Sequence, residues 1–211
     1  MIDNVPKIAV MGGGSWATAI AKIILRNVPQ ITWYMRRQEQ IDEFKRIAHN
    51  PSYLSSVTFD IDRISFTNKI NTAVANNDIL IFATPSPFFK SHMKNLRRRL
   101  DSKIIVSAIK GIVPDENVVI SEYFNKFYNV PYDSICALSG PCHAEEVALE
   151  RTSYLTIACP DREIARLVAS LVNTDFVKTS ISDDVYGVEY SSVMKNIYAM
   201  QEFAPILHQF A

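Results

Sequence analysis

Short apolar runs alternate with amphipathic segments along the chain, and this alternation predicts an α/β fold. The runs predicted as strands are 7–11, 31–35, a weak strand beginning at Phe66, 79–83, 103–109, 134–138, 154–159 and 176–180. Helical periodicity predicts helices at 15–26, 38–49, 69–76, 87–100, 117–128, from Cys142 onward, at 161–172 and at 183–203. Strands that alternate with helices through short connections are typical of a mostly parallel sheet with helices on both faces.

The turn after the first strand contains the residues that a dinucleotide requires. Gly12, Gly14 and Ala17 match the pattern G-x-G-x-x-G/A. The first glycine permits a tight turn, the second lets a pyrophosphate approach the backbone, and the small third residue lets helix and strand pack closely. Free N–H groups at the start of the helix then favour phosphate binding. A purely structural turn is the alternative, and the strand–turn–helix context favours cofactor binding.

The end of the second strand indicates which cofactor is preferred. Arg36 and Arg37 stand there, and the segment 33–38 contains no acidic residue. Proteins that bind NAD place a carboxylate near this point for the ribose hydroxyl, whereas proteins that bind NADP place an arginine there for the 2′-phosphate. The pattern therefore favours NADP, with NAD as the alternative. The competing interpretation is a solvated basic start of a helix.

Three further strand ends, at 84–87, 109–111 and 139–141, are candidates for the active site, because ligands of open parallel sheets bind beyond the carboxyl ends of the strands. Lys110 directly follows an apolar strand, and Gly140 precedes a helix start that offers free N–H groups. A surface lysine and a structural Gly-Pro turn are the plainer interpretations. His143 lies nearby, but Cys142 and His143 alone do not have the spacing of a metal site, so no metal is expected.

Lys195 lies in an apolar helical segment with Met194, Ile197 and Tyr198 as its neighbours. Partial burial disfavours the charged form of a lysine and makes it a plausible proton donor and acceptor near neutral pH. A lysine whose stem covers apolar surface while its ammonium stays in water is the more common explanation for such a window alone.

Composition and charge narrow the range of partners. The chain has 211 residues and a formal net charge of zero, so neither nucleic acid nor an anionic membrane is an expected partner. The N-terminus lacks the pattern of a signal peptide, and the three cysteines form no C-x-x-C pair. These features predict reduced thiols and a cytoplasmic location.

Four motifs in this order resemble the bacterial-type NAD(P)-dependent glycerol-3-phosphate dehydrogenases. They are Gly12-Gly13-Gly14-Ser15-Trp16-Ala17-Thr18-Ala19, Ala108-Ile109-Lys110-Gly111-Ile112, Leu138-Ser139-Gly140-Pro141-Cys142-His143-Ala144-Glu145-Glu146 and Val193-Met194-Lys195-Asn196-Ile197. The resemblance extends over about residues 7 to 200. Each motif is weak or moderate by itself, and their joint occurrence is highly specific.

The resemblance implies interconversion of dihydroxyacetone phosphate and sn-glycerol 3-phosphate, which supplies phospholipid synthesis. It implies contacts to the cofactor from Gly12, Gly14, Ser15, Trp16, Ala17, Arg36, Arg37, Tyr53, Lys110 and Ala144. It implies contacts to the substrate from Lys110, Gly140, Cys142 and Lys195. Lys195 is expected to accept and donate the proton, with support from Lys110 and Asn196. Repulsion by Lys110 is expected to lower the pKa of Lys195.

The same resemblance implies a division of the chain into a Rossmann-like NAD(P)-binding domain, residues 1–187, and the first helix of an all-helical substrate domain, residues 188–211. The segment after Met200 does not match the family, whose members continue with a glycine-rich segment and a whole helical domain. We therefore expect a truncated chain that binds cofactor with little or no turnover as the alternative to an active enzyme. The small-molecule substrate is the expected partner, and a homodimer is left open.

A third interpretation is a methyltransferase or a regulatory Rossmann-like domain. An adenosyl site would favour an acidic residue where Arg36 and Arg37 stand.

At Cys142 the chain departs from the hydroxyl or amide side chain expected of the dehydrogenase family.

Overall fold

The computed structural model describes residues 6–195. The strands of the main sheet are β1 (Ile8–Met11), β2 (Ile31–Tyr34), β3 (Ile64–Thr67), β4 (Ile79–Phe82), β5 (Ile104–Ser107), β8 (Ile135–Ser139), β9 (Ser153–Ala158) and β10 (Val177–Ser182), and β6 (Ile112–Val113) and β7 (Val118–Val119) form a small hairpin. The helices are α1 (Ser15–Asn27), α2 (Gln38–Ile47), α3 (Ile70–Asn76), α4 (Ser86–Met93), α5 (Ile120–Tyr128), α6 (Ala144–Ala148), α7 (Arg162–Val172) and α8, which begins at 185 and is described to 195.

The eight main strands form one sheet in the order β10-β9-β8-β5-β4-β1-β2-β3. The chain builds outward from β1 in one direction through β2 and β3, and in the other through β4, β5 and β8. The order therefore reverses between β1 and β4, and a crevice opens beyond the carboxyl ends of strands at such a point. The predicted mostly parallel sheet with helices is confirmed.

The two faces of the sheet bury two separate apolar cores, since successive side chains of a strand point to opposite faces. In β1, Ile8 and Val10 belong to the core that includes α1, α2, α6 and α7. Ala9 and Met11 belong to the core formed with α3, α4 and α5. Helices therefore cover both faces, as predicted.

One strand runs against the direction expected from simple alternation. β9 pairs with β8 in antiparallel register, with Leu138 opposite Ile157, and β10 then pairs parallel to β9. The short helix α6 lies between β8 and β9, and it is too short to return the chain to the starting edge as a full crossover helix would. This pairing places the end of β8 next to the beginning of β9.

Two predicted element boundaries are wrong, and side-chain contacts explain the first. The helix predicted to reach Leu100 ends at Met93, because the side chain of Asn71 forms hydrogen bonds with the backbone that follows. Its Oδ1 accepts from the N–H groups of Arg97 and Arg98, and its Nδ2 donates to the carbonyl of Asn95. The helix predicted from 117 begins at Ile120, because residues 118 and 119 pair with β6 as a hairpin strand.

The last described helix, α8, packs on the sheet between β8 and β9. Val185 and Val188 contact Ala137 and Ala158. The predicted boundary at residue 187 falls within this helix, and the assignment of the following segment to a second domain stays a prediction. Among residues 6–195, no helix has the length and apolar character needed to cross a lipid bilayer.

Candidate functional site

The two glycines of the turn between β1 and α1 have different surroundings: one packs against the backbone, and the other borders open space. Gly12 has φ +141°, and a Cβ there would lie 2.6 Å from the carbonyl oxygen of Ala83. A Cβ on Gly14, in contrast, would meet nothing within 4 Å. Gly12 is therefore required by the backbone, whereas the open space at Gly14 is available to a ligand. Ala17 is fully buried in the core beneath, where its small size serves packing.

Side chains from β2, α2 and the segment after α2 bind the carbonyl groups of this turn. Trp33 Nε1 donates to the oxygen of Gly12 at 2.7 Å, and Gln40 Nε2 donates to that of Gly13 at 2.8 Å. Asn50 Nδ2 donates to Gly13 at 3.1 Å as well. No side chain among residues 6–195 caps the start of α1, so the N–H groups of its first turn remain available for an anion.

A continuous cleft runs across the carboxyl ends of the strands above this turn. One cavity of about 380 Å³ has a lining of Gly14, Ser15, Trp16, Tyr53, Ala83, Thr84, Pro85, Ala108, Lys110, Cys142, His143, Ala144 and Glu145. A second of about 190 Å³ shares Gly14, Tyr53, Ala83, Thr84 and Pro85 and adds Gly13, Arg36, Arg37, Gln40, Phe88 and His92. The shared walls join the two cavities, and the glycine turn lies between their outer ends.

The smaller cavity is basic at the end of β2. Arg36 and Arg37 are both exposed, and neither forms an ion pair within the part of the chain that the structure describes. Arg36 contacts the Ser91 hydroxyl at 3.3 Å. None of the described residues that line this cavity carries a carboxylate. The arrangement is suited to a phosphate monoester.

His92 is a neutral neighbour of these arginines. Its Nδ1 lies 2.9 Å from the hydroxyl of the buried Thr84, and its ring stands edge-on to Tyr34. Burial, with a smaller contribution from Arg36, lowers the pKa of His92 to about 4. His92 therefore adds no positive charge at neutral pH and can exchange a hydrogen bond with Thr84.

The larger cavity contains a lysine over an aromatic ring. Lys110 Nζ lies 5.3 Å from the centre of the Trp16 ring, within the range of a cation–π interaction. Burial and, to a smaller degree, repulsion by Lys195 lower the pKa of Lys110. The indole Nε1 of Trp16 is buried and has no hydrogen-bond partner among residues 6–195.

The predicted substrate residues divide between two neighbouring cavities. Lys110 and Cys142 line the first, whereas Gly140 and Lys195 line a cavity of about 290 Å³ together with Ser139, Pro141, Thr156, Val188, Ser191 and Ser192. The two cavities are electrostatically connected, since Lys195 acts on the pKa values of both Lys110 and Cys142. Burial is the main cause of the raised pKa of Cys142.

Among the described residues Lys195 is exposed, as in the more common interpretation of a lysine whose ammonium stays in water, and the alternative of partial burial is not seen. Repulsion between the two lysines is seen at Lys110, whose pKa is lowered mainly by burial and in addition by Lys195. Asn196, expected to support the site, lies outside the described residues.

Sequence reasoning missed the side chains that bind the glycine turn, because Gln40 and Asn50 look like ordinary surface polar residues in their local windows. It also missed Glu189, which is 4% exposed. An acidic residue within the otherwise weakly polar segment around Val188 was the available signal.

The sheet order, the glycine turn and the cleft together define a dinucleotide-binding domain of the Rossmann type. A family model described as NAD-dependent glycerol-3-phosphate dehydrogenase N-terminus matches residues 7–165. The chain therefore belongs to the NAD-dependent glycerol-3-phosphate dehydrogenase family.

Individual relatives agree with this assignment. The chain is 33% identical over 195 residues to the glycerol-3-phosphate dehydrogenase (NAD(P)+) of Exiguobacterium sp., covering 92% of this chain and 57% of that protein. It is 30% identical over 196 residues to that of Staphylococcus carnosus, covering 92% and 59%. The solved glycerol-3-phosphate dehydrogenase of Plasmodium falciparum has a TM-score of 0.84 and 25% identity, covering 92% of this chain and 57% of that one. The chain thus spans less than two thirds of the length of these relatives.

Proposed function

We propose that this chain binds NADPH in the cleft and takes part in the reduction of dihydroxyacetone phosphate to sn-glycerol 3-phosphate, a reversible reaction. The observation that carries the proposal is the continuous cleft from Arg36 and Arg37 across Gly14 to Lys110, with Lys195 near its far end. The relatives bear the name of this activity. The product belongs to glycerophospholipid synthesis, and the proposed location is the cytoplasm.

The cleft fits the cofactor residue by residue. The first turn of α1 and the open space at Gly14 accommodate a pyrophosphate. Arg36 and Arg37 bind the 2′-phosphate, which favours NADP over NAD. The remaining proposed contacts are Ser15, Trp16, Tyr53, Lys110 and Ala144, whereas the buried Gly12 and Ala17 serve the backbone and packing of the turn.

The residues beyond the nicotinamide end supply the substrate site in this proposal. Lys110, Gly140, Cys142 and Lys195 contact the substrate, with Asn196 in support. Hydride transfer is the chemistry that the bound nicotinamide supplies. Lys110 provides a positive charge that stabilises a developing alkoxide, and Lys195 donates the proton to that oxygen, or accepts it in the reverse direction.

The direct test is the oxidation of NADPH that depends on dihydroxyacetone phosphate, followed by the loss of NADPH absorbance. We expect turnover in the wild-type chain and its loss in Lys195→Met, with NADPH affinity unchanged. Lys178→Met, which removes an exposed lysine of β10, is the matched control and retains turnover. Oxidation of NADPH by Lys195→Met at the wild-type rate would contradict the role of Lys195.

The second candidate is a chain that binds cofactor without turnover. The exposure of Lys195 favours it. NADPH binding by a folded wild-type protein without any oxidation of NADPH would support this candidate. Absence of NADPH binding would contradict both.

A further inference from the structure

Glu189 is a buried carboxylate on the helix that carries Lys195. The residue is 4% exposed, and among residues 6–195 its carboxylate accepts hydrogen bonds from Ser121, 68 residues earlier. The backbone N–H of Ser121 lies 3.1 and 3.2 Å from the two carboxylate oxygens, and the Ser121 hydroxyl donates to Oε2. These contacts join α8 to the beginning of α5.

The position of Ser121 explains why a carboxylate binds there. Ser121 is the second residue of α5, and the residue before that helix, Val119, has no side chain that can cap it. The N–H groups of a first helical turn lack partners within their own helix, and this end of the helix attracts negative charge. Glu189 therefore acts as a cap for α5 that comes from a different helix.

A second contact points to the strand that leads to Lys110. The hydroxyl of Ser107, the last residue of β5, is buried and has no partner within hydrogen-bond distance among residues 6–195. It is nevertheless close enough to Glu189 to lower the pKa of that carboxyl, against the dominant effect of burial, which raises the pKa to about 7. Tyr132 and Tyr186 are the titratable side chains that sense the charge of Glu189, and burial raises the pKa of both phenols.

Apolar contacts alone leave the orientation of α8 underdetermined. Val185 and Val188 pack on the sheet, and Tyr186 stacks on Tyr132 with ring centres 5.6 Å apart. Burial of apolar surface is non-directional, whereas hydrogen bonds require defined distances and angles. The contacts of Glu189 with Ser121 therefore determine how the helix is rotated and how far along its axis it lies.

We propose that Glu189 is a positioning residue that fixes Lys195 relative to Lys110 by anchoring α8 to the start of α5 beside the end of β5. Lys195 follows six positions later in the same helix, about 9 Å along its axis. Lys110 follows Ser107 by three residues. One buried carboxylate thus connects the elements that carry both lysines. The functional importance of this placement rests on the proposed function, whereas the placement itself does not.

The position of Lys195 relative to Lys110 is measured through the pKa of Lys110. This pKa is determined by NMR on chains whose lysines carry ¹³C-methyl groups, and the signal of Lys110 is assigned with Lys110→Arg. Lys195→Met removes the repulsion between the lysines, so the pKa of Lys110 is expected to rise. Glu189→Ala releases α8 and is expected to produce a rise in the same direction. The double variant Glu189→Ala/Lys195→Met is expected to show no rise in the pKa of Lys110 beyond that of Lys195→Met alone.

The sign of this change distinguishes positioning from a charge effect. Loss of a negative charge at Glu189 would lower the pKa of Lys110, whereas displacement of Lys195 raises it. Glu189→Gln loses the same charge and keeps the shape and an acceptor for Ser121, so the pKa of Lys110 is expected to stay at or below the wild-type value. Asp183→Asn, at an exposed position before α8, is the control and leaves it unchanged.

An unchanged pKa of Lys110 in Glu189→Ala, with a rise in Lys195→Met, would overturn the proposal. The absence of a rise in the pKa of Lys110 in Lys195→Met would overturn the proposal as well. NADPH affinity equal to the wild type checks that each variant is folded. If Glu189→Ala fails this check, Ser121→Ala decides instead, since it removes only the hydroxyl: a rise in the pKa of Lys110 supports the proposal, and no change contradicts it.

Turnover provides a separate readout. If the chain reduces dihydroxyacetone phosphate, Glu189→Ala is expected to lower kcat by about a hundredfold with little change in KM for NADPH, and Glu189→Gln to retain most of kcat. A wild-type chain without turnover would contradict the proposed dehydrogenase activity, and the pKa of Lys110 would still decide whether Glu189 positions Lys195.

Discussion

The indole N–H of Trp33, in β2, donates a hydrogen bond of 2.7 Å to the carbonyl oxygen of Gly12, in the turn after β1. This contact orients the peptide groups of the glycine turn from the neighbouring strand. With its carbonyl oxygens bound to protein side chains, the turn can present N–H groups to an anion. The two glycines of the fingerprint then have different functions, which substitutions can separate.

Gly14→Val is expected to abolish NADPH binding in a folded protein, because the side chain occupies open space that the pyrophosphate requires. Gly12→Ala is expected to lower the free energy of unfolding by about 2 kcal/mol or more, since its Cβ would clash with the backbone of Ala83 at a φ that L-residues rarely adopt. Fluorescence titration and thermal melts measure the two effects. Wild-type NADPH affinity in folded Gly14→Val would contradict the assignment of the cleft.

Arg36→Ala/Arg37→Ala is expected to weaken NADPH binding by about tenfold or more and to leave NADH binding nearly unchanged. A charge-assisted hydrogen bond to a phosphate contributes roughly 1.5–3 kcal/mol, and only NADPH has the 2′-phosphate. Parallel titrations with the two cofactors measure the preference, with Arg46→Ala on the exposed face of α2 as control. Equal affinities of the wild-type chain for NADPH and NADH would refute the NADP preference.

Lys110→Met is expected to lower NADPH affinity, because Lys110 and Trp16 line the same wall of the cleft and contact each other. NADPH is also expected to change the tryptophan emission of the wild type. This change is expected to be lost in Trp16→Phe, since the remaining tryptophan, Trp33, is fully buried beneath the turn. A response that follows Trp33 instead would show that the cofactor does not reach Trp16.

The stability of the protein is expected to depend on pH through two groups with opposite effects. Burial lowers the pKa of His92 from 6.5 to about 4, so its contribution to stability is present above pH 6.5 and is lost as the pH falls through about 4. Burial raises the pKa of Glu189 from 4.5 to about 7, so its contribution is present below pH 4.5 and is lost as the pH rises through about 7. The second shift corresponds to roughly 3 kcal/mol.

Between pH 4.5 and 6.5 these two effects partly cancel in the wild type. His92→Asn is expected to leave the Glu189 effect, so that stability falls as the pH rises. Glu189→Gln is expected to leave the His92 effect, so that stability rises with pH. Denaturant unfolding at several pH values measures both slopes, and slopes equal to that of the wild type in both variants would contradict the burial of these groups.

The layers of the fold and the glycine turn could be predicted from the sequence because both depend on local patterns. The continuous apolar run Ile8–Met11 reflects burial on both faces of a strand, and it is visible in four consecutive residues. Gly12 marks a backbone conformation that L-residues rarely adopt. The arginines after β2 follow the same logic, since a strand end is a local feature.

Contacts between distant segments were decided only by the tertiary structure. The antiparallel pairing of β9, the burial of Glu189 against Ser121 and the neutral state of His92 each depend on how separate elements pack, and a sequence window contains no record of that packing. The same polar side chain costs free energy when buried alone and stabilises the fold when a partner meets it. For Glu189 that partner is 68 residues away, so the sequence supplied the carboxylate and the fold determined what it binds.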